Sequence, residues 1–206
     1  MDVSIVIVNY NSSALVADCV ESIRNLVRAA SYEIIVVDNA STPSDLAVLE
    51  SIEGIDVLVE NSINLGFGTA NNCGVERARG DFVFFLNPDC LLLNDAVLYF
   101  LAFFNTVPDA GVAGCYLVDA VGNPNHYCGS FSGHEPKNFI LSEARQTLKS
   151  MKNAFGVRVH RVHQASVSHR KFSPAITRSV DWLNGAALFM PRKVFLEVGG
   201  FDEILA

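Results

Sequence analysis

The sequence predicts an α/β fold: a mostly parallel, Rossmann-like sheet with helices on both faces. Three observations carry this. Short β-branched runs alternate with helical stripes from the first residue to about position 118. The runs are apolar throughout instead of alternating, as strands covered on both faces require. The segments between them are long enough for right-handed crossovers.

Val3-Ser-Ile-Val-Ile-Val8 is the first strand. Leu15 to Val27 places apolar residues at 15, 19, 20, 23, 26 and 27, a helical stripe that Ser12 or Ser13 can cap. Glu33-Ile-Ile-Val-Val-Asp38 is the second strand. Thr42-Pro43-Ser44-Asp45 opens a helix with Thr as N-cap and Pro in first place, and Leu46, Leu49 and Ile52 form its inner face. Asp56 to Glu60 is a third strand, and Phe67 to Arg79 a third helix ended by Gly80. Asp81 to Leu86 is the fourth strand. Asn94 caps an apolar helix to Phe104, and Gly111 to Val118 is a fifth strand.

From Gly122 to Ser179 the alternation breaks down. One helix is expected there, Phe139 to Phe155, with apolar residues at 140, 141, 144, 148, 151 and 155 on one face and Arg145, Lys149 and Lys152 elsewhere. Such a basic amphipathic helix can lie on a membrane surface or pack on its own domain. Regular structure returns over Val180 to Met190, and Pro191 starts a helix that stops at Gly199-Gly200. The whole reads as one domain, 1–206, with regular alternation over residues 1–118 and a less regular half over 119–206.

Composition narrows the function. The 206 residues are 50% hydrophobic and 18% charged with a net charge of −7, which describes a globular chain and argues against nucleic acid as a partner. Five cysteines (Cys19, Cys73, Cys90, Cys115, Cys128) show no CxxC spacing and read as reduced thiols of a cytosolic protein. No basic n-region precedes the first strand, so no signal peptide is expected. Phe82 to Phe104 is too polar in its middle to span a bilayer. The charge is uneven: between Lys137 and Arg178 stand nine Lys or Arg and one acid, a net +8 on an acidic body. That segment suits an anionic partner or is simply solvated.

Asn87-Pro88-Asp89 holds the main chemical signal. A buried strand delivers one carboxylate to its C-terminal tip, where open α/β sheets bind ligands. Carboxylate oxygen suits a hard divalent cation, Mg²⁺ or Mn²⁺, which usually also holds substrate phosphates. The alternative at Asp89 is a turn or N-cap role. Asp38, at the tip of the second strand, either accepts from a base or ribose or caps Ser41 or Thr42. Tyr10 either packs on a base or is a turn residue. Gly66-Phe-Gly68-Thr-Ala-Asn71 nearly matches a dinucleotide fingerprint, but it lacks the third glycine, follows the third strand and is not succeeded by a ribose-binding acid, which argues against NAD(P). The glycine-rich turn either helps hold a diphosphate on backbone N–H groups or is a tight turn needing positive φ. His160, His163 and His169 lack acidic or Cys partners and read as solvated. No Ser-His-Asp, GxSxG or P-loop pattern is present.

Taken in order, five pieces resemble family 2 glycosyltransferases of the GT-A fold, and among these bacterial rhamnosyltransferases of polysaccharide assembly. They are Ser4 to Asn11, Ile34 to Ser41, Asn64-Leu-Gly-Phe-Gly68 with Asn72 and Gly74, Gly80 to Asp89, and Val180-Asp-Trp-Leu-Asn-Gly-Ala187 followed by Val198-Gly-Gly-Phe-Asp-Glu203. The resemblance implies that Val8 and Tyr10 border the base, that Asp38 holds base or ribose, and that Asn64, Gly66 and Asn72 line the nucleotide pocket. Asn87 stands in for the first acid of the family's Asp-x-Asp motif and bonds the ribose, while Asp89 binds the metal. Trp182, Asn184 and Gly185 face the donor sugar or acceptor.

The implied reaction is transfer of a sugar, rhamnose by subgroup, from a dTDP- or UDP-linked donor to a glycan or lipid-linked acceptor with inversion. It takes place in the cytoplasm, with peripheral contact at the inner membrane face. In the family, Gly-Gly-Phe-Asp-Glu is soon followed by a Glu-Asp-x-Asp stretch that supplies the base. The sequence ends at Ala206, so the base is expected beyond it, and the chain reads as a truncated member that binds donor and transfers poorly. The competing readings are a non-catalytic nucleotide-sugar-binding or interaction protein, and a nucleotidyltransferase. The latter needs a glycine-rich cationic loop after the first strand, where Asn9-Tyr-Asn-Ser-Ser13 has neither glycine nor cation.

Overall fold

The structure is a computed structural model that describes residues 1–125, 128–129, 157–159, 177 and 179–203. The elements are β1 (Val3–Asn9), α1 (Ser13–Leu26), β2 (Tyr32–Asn39), α2 (Pro43–Glu50), β3 (Val57–Asn61), α3 (Gly66–Arg77), β4 (Phe82–Leu86), β5 (Cys90–Leu92), α4 (Ala96–Thr106), β6 (Ala113–Gly114), β7 (Leu117–Val118), β8 (Cys128–Gly129), β9 (Val157–Val159), β10 (Trp182–Leu183), β11 (Ala187–Pro191) and α5 (Arg192–Glu197).

The central sheet has the order β3-β2-β1-β4-β11-β6. Its first four strands are parallel; β11 runs antiparallel to β4, and β6 antiparallel to β11. β5 pairs with β9 and β9 with β7 in a small second sheet, and β8 pairs with β10 in a third. Fold class and parallel character are as the sequence predicts. The strand alternation sorts the core onto two faces. Ile5, Ile7, Ile34, Val36, Phe84, Leu86 and Phe189 pack under α1, α2 and α4. Val6, Ile35, Val37, Val83 and Phe85 pack under α3 and α5, with Phe195 of α5 among them.

Gly74 shows why α3 lies so close. A Cβ there would stand 2.4 Å from Val6 Cγ1 and 3.2 Å from Val37 Cγ2. The helix rests its backbone on β1 and β2, which only glycine permits without repacking.

Four local expectations need correction. Gly111–Val118 is not one strand: β6 joins the central sheet while β7 joins the second sheet, and the chain turns between them. Val180–Met190 likewise divides into β10 and β11, which belong to different sheets on either side of the turn at 184–186. Asp95, not Asn94, caps α4, its carboxylate accepting from the Leu98 N–H at 3.0 Å. Neither Ser12 nor Ser13 caps α1 with its side chain; a carboxylate from α2, Asp45, accepts the Ser13 N–H instead at 3.1 Å. Charge complements the helix dipole better than a hydroxyl does, and the tertiary partner displaces the local one. β5 has no counterpart in the sequence reading. The expected helix 139–155 and the three histidines lie outside the described residues.

Candidate functional site

All four parallel strands end at one edge, so the loops after Asn9, Asn39, Asn61 and Leu86 gather there. The antiparallel β11 starts opposite Leu86 and brings the 184–186 turn to the same edge.

Asparagines weld these loops. Asn9 Nδ2 donates to Asp38 Oδ1 (2.9 Å), Ser41 Oγ (3.0 Å) and Asp45 Oδ2 (2.8 Å). Asp38 Oδ2 accepts the Ser41 N–H at 3.0 Å, so the turn role weighed for Asp38 is present. The residue is 2% exposed. Asn11 adopts φ 53° and Ala40 φ 64°, both in the left-handed region. That conformation is costly for alanine and persists only where surrounding bonds enforce it. Here Asn11 N–H donates to Ser41 Oγ (2.9 Å) and Thr42 N–H to Asn11 Oδ1 (2.8 Å). Tyr10, between Asn9 and Asn11, projects into solvent at 52% exposure, while Val8 turns to the second core.

The next pair of loops is joined through Asn39. Its Nδ2 donates to Asn64 Oδ1 (2.7 Å) and to the Gly66 carbonyl (3.3 Å). Its Oδ1 accepts from Asn61 Nδ2 (3.1 Å) and the Leu65 N–H (3.0 Å). Asn64 Oδ1 also accepts the Gly66 N–H at 2.9 Å, and Gly66 sits at φ 78°. The tight-turn role weighed for Gly66 is therefore real. The bonding roles of Asn9, Asn39 and Asp45 were not read from sequence. For Asn9 and Asn39 the signal was a polar residue closing an otherwise apolar strand, while Asp45 stood only as an acid in the first turn of α2.

The Asn87-Pro88-Asp89 loop turns on the Asn87 carbonyl, which accepts the Cys90 N–H at 3.0 Å. The Asn87 N–H donates to Ala186 O at 2.9 Å, tying the loop to the 184–186 turn, where Asn184 Oδ1 accepts the Ala186 N–H (2.9 Å). Among the described residues no N–H or hydroxyl donor is bonded to Asp89. The Cys90 thiol donates to it weakly, its sulfur 4.0 Å from Oδ1. No cluster of three His, Cys, Asp or Glu side chains exists among the described residues. Asp89 is one carboxylate, and phosphate and water oxygens beside it would make a donor set that fits Mg²⁺ or Mn²⁺.

Burial foremost, and then the Asp89 charge, raises the thiols of Cys19 and Cys90 well above their usual range. Cys115 is pushed up to about 12 by burial. These thiols stay protonated at neutral pH and are packing groups, not nucleophiles.

Two expected site residues are engaged elsewhere along the edge. Asn72 points to the C-terminal segment, bonding Phe201 through both backbone groups and Glu203 Oε1 at 3.2 Å. Trp182 lies against Gly129, where a Cβ would stand 2.4 Å from its Cζ2, and stays 36% exposed. Gly185 borders the ring of Phe67.

A parallel sheet with a switch to antiparallel pairing beside β4, and a carboxylate at the β4 tip, defines a GT-A-like domain. Solved structures agree in fold. The mannosyltransferase PcManGT of Pyrobaculum calidifontis, in complex with GDP-Man and Mn²⁺, superposes with TM-score 0.57 at 17% identity over 98% of this chain and 47% of its own. S. aureus TarS gives 0.51 at 21% identity, over 64% of this chain and 42% of its own. The chain belongs to glycosyl transferase family 2, whose profile matches residues 4–166.

Curated relatives include a poly(ribitol-phosphate) beta-glucosyltransferase of Bacillus spizizenii, 35% identical over 104 residues, or 48% of this chain and 16% of that protein. The O-antigen biosynthesis protein RfbC of Myxococcus xanthus is 25% identical over 203 residues, 98% of this chain and 14% of that protein. The chain thus spans about a sixth of the length of these relatives.

Proposed function

We propose that this chain binds a nucleotide-diphosphate sugar at the C-terminal edge of its sheet and serves glycosyl transfer in polysaccharide assembly. The observation that carries the reading is Asp89, a carboxylate at the β4 tip with no N–H or hydroxyl donor bonded to it among the described residues, at the same sheet edge as loops tied together by hydrogen bonds. Family membership and the GT-A-like fold support it.

In this reading Tyr10 and Val8 border the base, and Asp38 has a lone pair left on each oxygen for the base or ribose. Asn64 and Gly66 shape the pocket wall, with Asn72 fixing α3 behind it. Asn87 meets the ribose. Asp89 holds Mg²⁺ or Mn²⁺, which when bound neutralises charge on the departing diphosphate. Trp182, Asn184 and Gly185 face the sugar or acceptor. The reaction class is transfer with inversion, the acceptor hydroxyl being deprotonated as it attacks opposite the leaving group. We assign no base among the described residues: Glu203 is bonded to Asn72, and Asp202 precedes it in the segment that docks on α3.

Residues 1–118 form the nucleotide half and 119–206 the sugar and acceptor half in this reading, although β11 completes the central sheet beside β4. The donor is dTDP- or UDP-linked, rhamnose by subgroup resemblance, and the acceptor a glycan or lipid-linked carrier. No helix among the described residues is long and apolar enough to cross a membrane. The basic segment, with Arg145, Lys149 and Lys152, is the proposed peripheral contact at the cytoplasmic face. Its test is vesicle binding lost on charge reversal of those three.

Calorimetric titration with UDP, dTDP and GDP in the presence of Mn²⁺ tests the main reading. Saturable binding of one of them is the expected result. Absence of binding by all three would contradict it.

A further inference from the structure

Phe67 is the first large side chain of α3 and stands at the same edge as the Asn87-Pro88-Asp89 loop. It is 44% exposed. Leaving a Phe half in water forgoes part of the stabilisation that its burial would contribute. Yet the ring is backed on one side: it meets Phe201 in a T-shaped contact, centroids 5.7 Å apart at 62°. Phe201 is itself held by Phe85 at 5.0 Å and Phe195 at 5.4 Å, and its backbone by Asn72.

On the other side is Gly185. A Cβ at that position would stand 3.6 Å from Phe67 Cζ, in ordinary contact, so the glycine leaves the ring edge uncovered without being required by a clash. The next residue, Ala186, accepts the Asn87 N–H, two positions before Asp89. On the helix side, the Gly66 turn bonded to Asn64 and Asn39 fixes where Phe67 begins. An apolar ring is thus held in place among asparagines, between the nucleotide-side loops and the loop that carries Asp89.

Resting on the proposed donor site, we propose that Phe67 is a positioning residue that stacks on the apolar C–H face of the pyranose in the sugar nucleotide. A pyranose presents hydroxyls around its rim and polarised C–H groups on one face. The rim suits the surrounding amides, and the C–H face suits the negative face of an aromatic ring. Phe67 then contributes to binding the sugar and not the nucleoside diphosphate.

The test is titration of the native chain, Phe67→Ala, Phe67→Tyr and Phe67→Leu in Mn²⁺, with UDP against UDP-GlcNAc, dTDP against dTDP-rhamnose, and GDP against GDP-mannose. Phe67→Ala should weaken the sugar nucleotide about fivefold or more while changing the bare diphosphate by less than about twofold. Phe67→Tyr should restore the sugar nucleotide. Phe67→Leu, which keeps apolar bulk against Phe201, should not. Equal loss on diphosphate and sugar nucleotide, no loss on either, or rescue by Leu overturns the assignment and leaves the donor site standing. Failure of the native chain to bind any nucleotide overturns both.

Discussion

Asn72 grips Phe201 by both of its backbone groups: Oδ1 accepts the Phe201 N–H at 2.9 Å and Nδ2 donates to the Phe201 carbonyl at 3.0 Å. A side-chain amide is the one neutral group that can offer both halves of such a pair in one plane. It fastens residues 199–203 across α3, after the left-handed turn of Gly199 and Gly200 at φ 87° and 80°.

Asn72→Ala should therefore act first on stability. Three hydrogen bonds are lost, the two to Phe201 at a half-buried site and the one to Glu203 at an exposed one, a cost of about 1–3 kcal/mol. Urea denaturation measures it, and hydrogen exchange should rise at residues 199–203 before the central strands. Asn72→Asp keeps the acceptor, loses the donor and places a charge beside Glu203, so it should rescue little.

Gly74→Ala tests the helix–sheet contact. With Val6 Cγ1 at 2.4 Å from the new methyl, the expected loss is about 1–3 kcal/mol. The Val6→Ala, Gly74→Ala double variant should lose less than the two single variants together, because the residues touch. Additive losses would show that α3 shifts as a whole.

Acid should loosen the molecule through two carboxylates. Burial opposes charge on Glu33, but hydrogen bonds from Ser4 Oγ (2.6 Å) and the Arg79 N–H (2.7 Å), with the Arg79 side chain, outweigh it and hold its carboxyl below the usual 4.5. At Asp45 burial is likewise outweighed, by Asn9, Ser13 and Ser41, and its carboxyl lies below the usual 3.8. Both pKa values are lower folded than unfolded. The stability they contribute is thus fully present above about pH 5 and drains away as pH falls through the folded values. Denaturation of native chain, Glu33→Gln and Asp45→Asn across pH 2–7 should show differences that are largest near neutrality and shrink in acid. A difference independent of pH would mean that the charge is not what these sites supply.

Thiol alkylation should follow burial. Cys73 alone among Cys19, Cys73, Cys90 and Cys115 is partly exposed. Iodoacetamide at pH 8 followed by mass spectrometry should label Cys73 first, and the other three only on unfolding.

The sheet was legible because its strands are continuous apolar runs, and the α1 stripe because burial demands it. The Thr42-Pro43 start of α2 was legible because the cap is local: Thr42 accepts the Asp45 N–H. What escaped is what distance in sequence hides. The cap of α1 comes from Asp45, 32 residues on. The break between β6 and β7 depends on which sheet has a vacant edge, not on local propensity. The place of Asp89 just past a strand tip was readable from the apolar run before it. Asn9 and Asn39 were not, because a buried asparagine announces itself only when its partners are known. Phe67 reads as one more apolar residue of a helix until its exposure is seen.

The proposed donor site turns on Asp89 holding a divalent cation against the diphosphate. Titration of native chain and Asp89→Ala with UDP, dTDP and GDP, each with and without Mn²⁺, measures this. Mn²⁺ should tighten the nucleotide that binds the native chain by tenfold or more, about 1.4 kcal/mol, and change Asp89→Ala by less than about twofold. The same metal dependence in both proteins would show that Asp89 does not hold the cation.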